Sequence, residues 1–267
     1  MLTDAGYQVT YYKGSDVNVN FFQALPTYGY KILIFRVHSA LRLENSTTGA
    51  LTKPLDFFTS ELYSNVSYAS WQIRKMLDIV MYSEFDTTKY FGITPSFVTG
   101  AMEGDFQNAT IILEGCNGLD GQNRSDTMLQ ALVTKGARIV IGWNASVGVG
   151  RTDIATLDLL NHLLAENETM KEALNATNSE IGPYDDQLLC YNHMLYYPWA
   201  GVSYQLGDVG GYRIPHGPSL AATGMTNSYV LLSANASVLA APLLLSANGS
   251  HAFRKFRKKT SSVSRSV

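Results

Sequence analysis

Among the side chains that can act as nucleophile or base, two stand at the ends of short aliphatic runs. Lys31-Ile32-Leu33-Ile34-Phe35-Arg36-Val37-His38 ends in an imidazole, and Thr110-Ile111-Ile112-Leu113-Glu114-Gly115-Cys116 runs into a thiol followed by Asn117-Gly118. Each run has the length and composition of a strand buried on both faces. In an open α/β sheet the loops beyond the carboxyl ends of the strands converge on one crevice. Two parallel strands of this kind would set His38 and Cys116 at that edge, facing each other. A thiol is mostly protonated at neutral pH, and a neighbouring imidazole can hold the thiolate or take its proton. Such a pair can attack a carbonyl and form an acyl-enzyme. Glu114, two residues before Cys116, lies on the same strand face by the period of two. Cys190 is the second cysteine of the chain, so the alternative for Cys116 is one disulfide.

The elements that would position these groups alternate in type. Leu2 to Gly6 reads as a helix end capped by Gly6, and Tyr7 to Tyr12 as a strand. Asn18 to Leu25 reads as a short helix stopped by Pro26. Ser39 to Phe58 reads as a polar loop. Tyr68 to Tyr82 carries Trp71, Ile73, Met76, Leu77, Ile79 and Val80 at the spacing of one helical face. Thr87 to Asn108, with Gly92, Pro95, Gly100 and Gly104, reads as a connection. Ser125 to Lys135 is expected as a helix capped by Gly136, and Ala137 to Trp143 as the next buried strand. Asn144 to Gly150 is a loop of small residues at the same edge as Cys116. Helices are expected over Asp153 to Glu166, with His162 on the surface, and over Thr169 to Ala176. Gly201 to Gly207 is a candidate last strand. Alternation of buried strands with amphipathic helices predicts parallel βαβ units.

This order resembles the caspase–haemoglobinase fold of cysteine peptidases, which includes caspases, metacaspases, clostripain, gingipain, separase and the CHAT domains. There a hydrophobic strand ends in the catalytic His and a later one in the nucleophilic Cys. Met128 to Trp143 is similar to the family's helix, Gly-Ala turn and next strand, and Thr152 to Ala176 to its following helices. The resemblance spans about residues 1–180 and implies a three-layer α/β fold, a mainly parallel sheet with helices on both faces. It divides the chain into a peptidase domain over 1–210 and a low-charge tail over 211–267. It also implies a strand before the helix that ends at Gly6, in the middle of the sheet. That first strand is missing, which leaves Tyr7 to Tyr12 without an evident neighbour for its backbone groups.

By resemblance, Cys116 would be the nucleophile and His38 the base and acid of an endopeptidase acting on a peptide or protein substrate, with no metal or cofactor. The family's oxyanion hole uses the N–H of the Cys and that of the Gly after the His. Here Ser39 stands in place of that Gly and puts a Cβ where substrate backbone runs close. In metacaspases and clostripain-like enzymes an Asp at the position of Glu114 lines the pocket for the residue before the cleaved bond. Glu114 would then select Arg or Lys, the other reading being an internal ion pair with Arg36 or Arg138. Ser39, Gly115, Trp143 and Asp153 complete the substrate-binding set. A non-catalytic surface glycoprotein that uses the crevice for binding is the alternative, favoured by Ser39 and by the missing strand. A phosphate-binding loop at Gly115–Gly121 is excluded, because no Lys-Ser/Thr follows the glycines.

Composition narrows the setting. The 267 residues are 46% hydrophobic with a formal net charge of −2, which argues for a globular core and against a general nucleic-acid binder. No basic-then-apolar leader opens the sequence. Yet it holds nine Asn-x-Ser/Thr sequons, at Asn45, Asn65, Asn108, Asn123, Asn144, Asn167, Asn175, Asn235 and Asn248, more than its Ser and Thr content yields by chance. That excess points to an extracytoplasmic glycoprotein, at the cell surface or secreted. From His216 to Ser250 there is no Asp, Glu, Lys or Arg, and Arg254-Lys255-Phe256-Arg257-Lys258-Lys259 follows. Tyr229 to Ala247 is apolar enough for a C-terminal membrane anchor with a basic end, but Ser233, Asn235, Ser237, Pro242 and Ser246 dilute it. A disordered tail and a further packed segment are the other readings.

Overall fold

The computed structural model describes residues 1–42, 44–45, 51–82, 87–119, 128–198, 210–215 and 228–233. A turn over residues 1–6 closes at Gly6, whose φ of +84° is open to glycine without steric cost. The chain then forms β1 (Gln8–Lys13), α1 (Val19–Ala24) and β2 (Ile32–Arg36). A second group follows: β3 (Ser39–Leu41), β4 (Glu44–Asn45), β5 (Leu51–Thr52), β6 (Leu55–Leu62), α2 (Ala69–Ile73), β7 (Leu77–Val80), β8 (Tyr90–Ile93) and α3 (Pro95–Gly100). The remainder is β9 (Thr110–Leu113), α4 (Met128–Thr134), β10 (Ile139–Trp143), α5 (Val149–Leu164), α6 (Met170–Ile181), β11 (Tyr184–Asp185), β12 (Cys190–Tyr191), β13 (Met194–Tyr197) and β14 (Ser228–Ser233).

The main sheet has the order β1-β14-β2-β9-β10-β13, and all its neighbours are parallel except the β10–β13 pair. Its central strands are the aliphatic runs, and every residue of β9 and β10 is buried. The pleat splits them between two cores. Leu33, Phe35, Ile111, Leu113 and Val140 pack with Phe22 of α1, Phe97 of α3 and Leu132 of α4. Ile32, Ile34, Ile112, Ile139, Ile141 and Trp143 pack with Leu159 and Leu163 of α5 and Met170 of α6. Helices therefore cover both faces of a mainly parallel sheet, a three-layer α/β arrangement.

The tail is where the main sheet departs most from expectation. β14 lies between β1 and β2, pairing Val9 with Tyr229 and Ile32 with Tyr229 in parallel. β1, expected to lack a neighbour for its backbone groups, therefore has one. The start of the candidate anchor, Tyr229 to Ser233, is thus sheet, while 234–247 and Gly201–Gly207 lie outside the described residues. Ile214 is 2% exposed in the core beside α5 and α6, and the Tyr7 hydroxyl donates to the Pro215 carbonyl. The described residues beyond 210 accordingly pack into the same domain as 1–210. Among the described residues no helix is long and apolar enough to cross a membrane.

The stretch between β2 and β9 holds a second, antiparallel sheet of order β3-β6-β8-β7. It replaces the loop expected over Ser39 to Phe58 and the helix expected over Tyr68 to Tyr82. Only α2 of that helix forms. Lys75 takes φ +54°, with Met76 N–H on the Trp71 carbonyl and Lys75 N–H on that of Gln72, both at 2.9 Å. Those two bonds are a Schellman ending, made here without the usual glycine. Within the expected connection, Thr94 caps α3 by accepting from Phe97 N–H and Pro95 occupies its first turn, an arrangement its fixed φ suits.

Candidate active site at the carboxyl edge of the sheet

The β2–β9 ladder pairs Ile32 with Thr110 and Phe35 with Leu113. Continued beyond the last pair, that register sets Arg36 beside Glu114 and His38 beside Cys116. The Glu114 N–H still donates to the Phe35 carbonyl at 3.0 Å, and the Ser39 hydroxyl donates to the Cys116 carbonyl at 2.6 Å. The two chain ends are therefore held together where the strands stop. Ser39 is buried, 6% exposed, and a Cβ on Gly115 would stand 2.4 Å from its Oγ and 2.5 Å from the Val37 carbonyl. Ser39 and Gly115 were expected to contact substrate. They instead form the interlock between the His and Cys strands, because only a glycine leaves room for the serine.

His38 and Cys116 point their side chains into different surroundings. The imidazole, half-buried, meets the ring of Tyr82 edge-on at 5.1 Å and that of Phe58 at 6.1 Å. Burial lowers its pKa, which keeps it in the neutral form that a base needs. The Cys116 Sγ lies 3.8 Å from the Val147 carbonyl, in the loop that leads into α5. Burial pushes the thiol up, with hydrogen bonds from the Val147 backbone and the Ser146 side chain opposing and Asp185 adding to the rise. Among the described residues no hydrogen bond joins the imidazole to the thiol. Both Cys116 and Cys190 are free, so the disulfide does not form. The Cys190 Sγ lies 3.5 Å from the Ser146 carbonyl, so the two thiols meet successive carbonyls of the same loop.

Sequence reasoning missed the groups that hold the 144–148 loop. Asp185, 2% exposed, accepts from the N–H groups of Gly148 (2.7 Å), Gln187 (3.0 Å) and Leu188 (3.2 Å). Burial acts to raise its pKa, but these bonds and Asn192 outweigh it and hold the carboxyl below its ordinary value. Asn192, fully buried, donates to the Ser146 carbonyl at 2.7 Å and accepts from Arg151 Nε at 2.8 Å. Arg151 also reaches the carbonyls of Ile181 and Tyr184. The strand-end loop that faces Cys116 is thereby braced by α5, α6 and the β11–β12 hairpin. No local pattern marks the bonds to this loop, since Gly148 and Asp185 lie 37 residues apart and Ser146 and Asn192 lie 46 apart.

Glu114, Asp153 and Trp143 do not line an open pocket. Glu114 is 8% exposed and sits on the α5 side of the sheet, its Oε2 3.6 Å from Arg36 Nε. Burial raises its pKa to about 7, against the Thr156 hydroxyl and Arg36 and with Asp153. Arg36 forms a two-point ion pair with Asp153 (2.9 and 2.7 Å), and that pair raises the Arg36 pKa. Arg138, the other candidate partner, makes no ion pair among the described residues. Buried in this way, with Arg36 already the nearest cation, Glu114 is not open to a substrate cation. Trp143 is fully buried, donates from Nε1 to the Thr152 hydroxyl at 2.9 Å and carries the Arg151 guanidinium over its ring at 5.5 Å. It is core, not pocket wall.

His162, expected on the surface, is 7% exposed. Its Nδ1 lies 3.2 Å from both Glu166 and Glu168, and its Nε2 3.4 Å from Glu180 and 3.8 Å from Asp158. Burial would lower its pKa, but the four carboxylates together raise it, the environment of an imidazolium held between α5, the following turn and α6. The trios Asp158–His162–Glu180 and His162–Glu166–Glu168 are the groups among the described residues whose spacing also suits a metal ion. Comparisons with protein-family models, with curated proteins and with solved structures return no match for this chain.

Proposed function

We propose that this chain is a cysteine peptidase in which Cys116 is the nucleophile and His38 the base. The observation that supports the reading is the adjacency of β2 and β9: they run parallel with Phe35 opposite Leu113, so the segments that carry His38 and Cys116 leave the sheet side by side at its carboxyl edge. Open α/β sheets bind their ligands at that edge. The Cys116 thiol would attack the scissile carbonyl, and His38 would take its proton and return it to the leaving amine. Water would then release the acyl group from sulfur, with His38 again as base. The neutral imidazole suits that role. Because the resting thiol is pushed up by burial, its proton would leave only once substrate has closed the gap to His38. The preference for Arg or Lys is not part of this proposal, since Glu114 already faces Arg36.

The test is labelling by a peptidyl chloromethyl ketone or vinyl sulfone, followed by mass spectrometry. Cys116 should be modified and Cys190 not, and the label should vanish in Cys116→Ala and fall strongly in His38→Ala. Equal labelling of both cysteines, or of Cys116 with and without His38, would leave a thiol of ordinary reactivity and sink the peptidase reading. The second reading, a non-catalytic domain whose crevice binds a partner, is favoured by the Ser39 hydroxyl spanning to the Cys116 carbonyl. In that case labelling would be slow, and insensitive to the peptide portion of the reagent.

A further inference from the structure

We propose that a cavity at the opposite edge of the sheet, at the amino ends of β2, β9 and β10, is a binding site for a small organic carboxylate with a flat apolar body. The cavity has a volume of about 380 Å³, and its walls include Lys31, Asn108, Arg138, Tyr212, Ile214 and Pro215. Neither its position nor its chemistry depends on the peptidase reading.

The cations arrive there through the register. Ile32, Thr110 and Ile139 are aligned across the three strands, so Lys31 and Arg138, each one residue before its strand, stand at the same level on either side of Ala109. Two strand spacings separate their backbones, about 10 Å, and both side chains line the cavity, so one carboxylate between them can take a contact from each. Among the described residues neither cation has a carboxylate partner. The Nε of Arg138 is buried and has no hydrogen-bond partner, so part of the guanidinium has lost its water without replacement. An arriving anion would supply the missing compensation.

The remaining walls select the rest of the ligand. The Tyr212 ring lies under the Arg138 guanidinium at 5.5 Å and, with buried Ile214 and with Pro215, offers a flat apolar surface. The segment that carries them is fastened. Its Gly210 and Tyr212 carbonyls accept from Lys171 N–H (2.9 Å) and Met170 N–H (2.8 Å) at the start of α6, and its Pro215 carbonyl accepts from the Tyr7 hydroxyl. The wall is thus built before a ligand enters, which lowers the ordering cost of binding. Tyr212, Ile214 and Pro215 make an apolar wall and only two cations line the cavity, so an aryl or branched-alkyl carboxylate fits better than a polyanion or a bare phosphate.

The experiment is isothermal titration of the full chain with sodium benzoate, with benzyl alcohol and inorganic phosphate as comparison probes. Benzoate should bind, benzyl alcohol should not, and phosphate should bind more weakly than benzoate. Lys31 is exposed, so Lys31→Met leaves the fold intact, and it should weaken benzoate by about tenfold through the loss of one charge-assisted contact. Arg138→Met should abolish binding. No heat from benzoate up to about 10 mM, or unchanged affinity in Lys31→Met, would overturn the proposal. Phosphate binding equal to or tighter than benzoate would overturn the assignment to an organic acid.

Discussion

Glu114→Gln separates the two roles that a carboxylate at this position can have. In the folded chain Glu114 keeps its proton up to about pH 7, raised from 4.5 by burial, whereas the unfolded chain releases it near the ordinary value. Between those two pH values the native state binds the extra proton, so the free energy of unfolding falls as pH rises through the window. At about 1.4 kcal/mol per unit, the full shift is roughly 3 kcal/mol of stability present below pH 4.5 and lost above pH 7. Glutamine keeps the shape and cannot ionise, and Arg36 retains its two bonds to Asp153. Glu114→Gln should therefore match the wild type near pH 4.5 and exceed it by up to roughly 3 kcal/mol at pH 8. Urea unfolding followed by tryptophan fluorescence and by circular dichroism measures this as a midpoint gap that opens with pH at constant slope. Asp56, also raised to about 7, has the same sign but is common to both proteins and cancels. A variant less stable than wild type at pH 8, with a gap that does not change by pH 5, would mean that Glu114 is ionised and paired with Arg36. The reasoning from burial would then fail.

Other outcomes can be checked in the same preparations. Asp153→Asn should cost no more than about 1 kcal/mol, and less at high salt, because both partners of the Arg36 pair are partly exposed. The raised His162 pKa adds stability that is complete below its unfolded value and lost as pH rises through the folded one. His162→Gln should accordingly cost most in acid and least at alkaline pH, and a pH-independent cost would refute the imidazolium. Leu231→Pro places a residue without an N–H inside a strand paired on both sides, so it should cost about 3 kcal/mol or more. Unchanged unfolding of that variant would remove β14 from the sheet. Alkylation of native Cys116 by iodoacetamide at pH 8.5 should lag that of the urea-unfolded chain, since burial raises its pKa.

The sequence by itself determined the strands that make the middle of the molecule. Uninterrupted runs such as Ile32 to Phe35 and Ile139 to Trp143 can satisfy their side chains only when buried on both faces, and period and length sufficed to read them. Most of the helices that cover them were legible for the same reason, α3 excepted, and the structure adds a capping box between Thr169 and Glu172 at the start of α6. That β2 and β9, the strands leading to His38 and Cys116, are parallel neighbours followed from the like character of the two runs, without knowledge of any contact. Tertiary structure decided what stands around them. Glu114 and Cys116 were expected on one strand face, but whether that face opens to solvent at Glu114 depends on α5 lying over it and on Arg36 arriving from β2. The antiparallel sheet between β2 and β9 was hidden because Leu77 to Val80 satisfies helical and strand spacing alike, and only pairing with β8 distinguishes them. His162 was read as surface because it lies opposite the Leu neighbours of its helix, whereas Glu168 and Glu180, which help to enclose it, come from the following turn and from α6. The central place of β14 lay furthest from view. A pairing between residues 9 and 229 leaves no local trace in composition or period, and only closure of the whole sheet brings those two segments together.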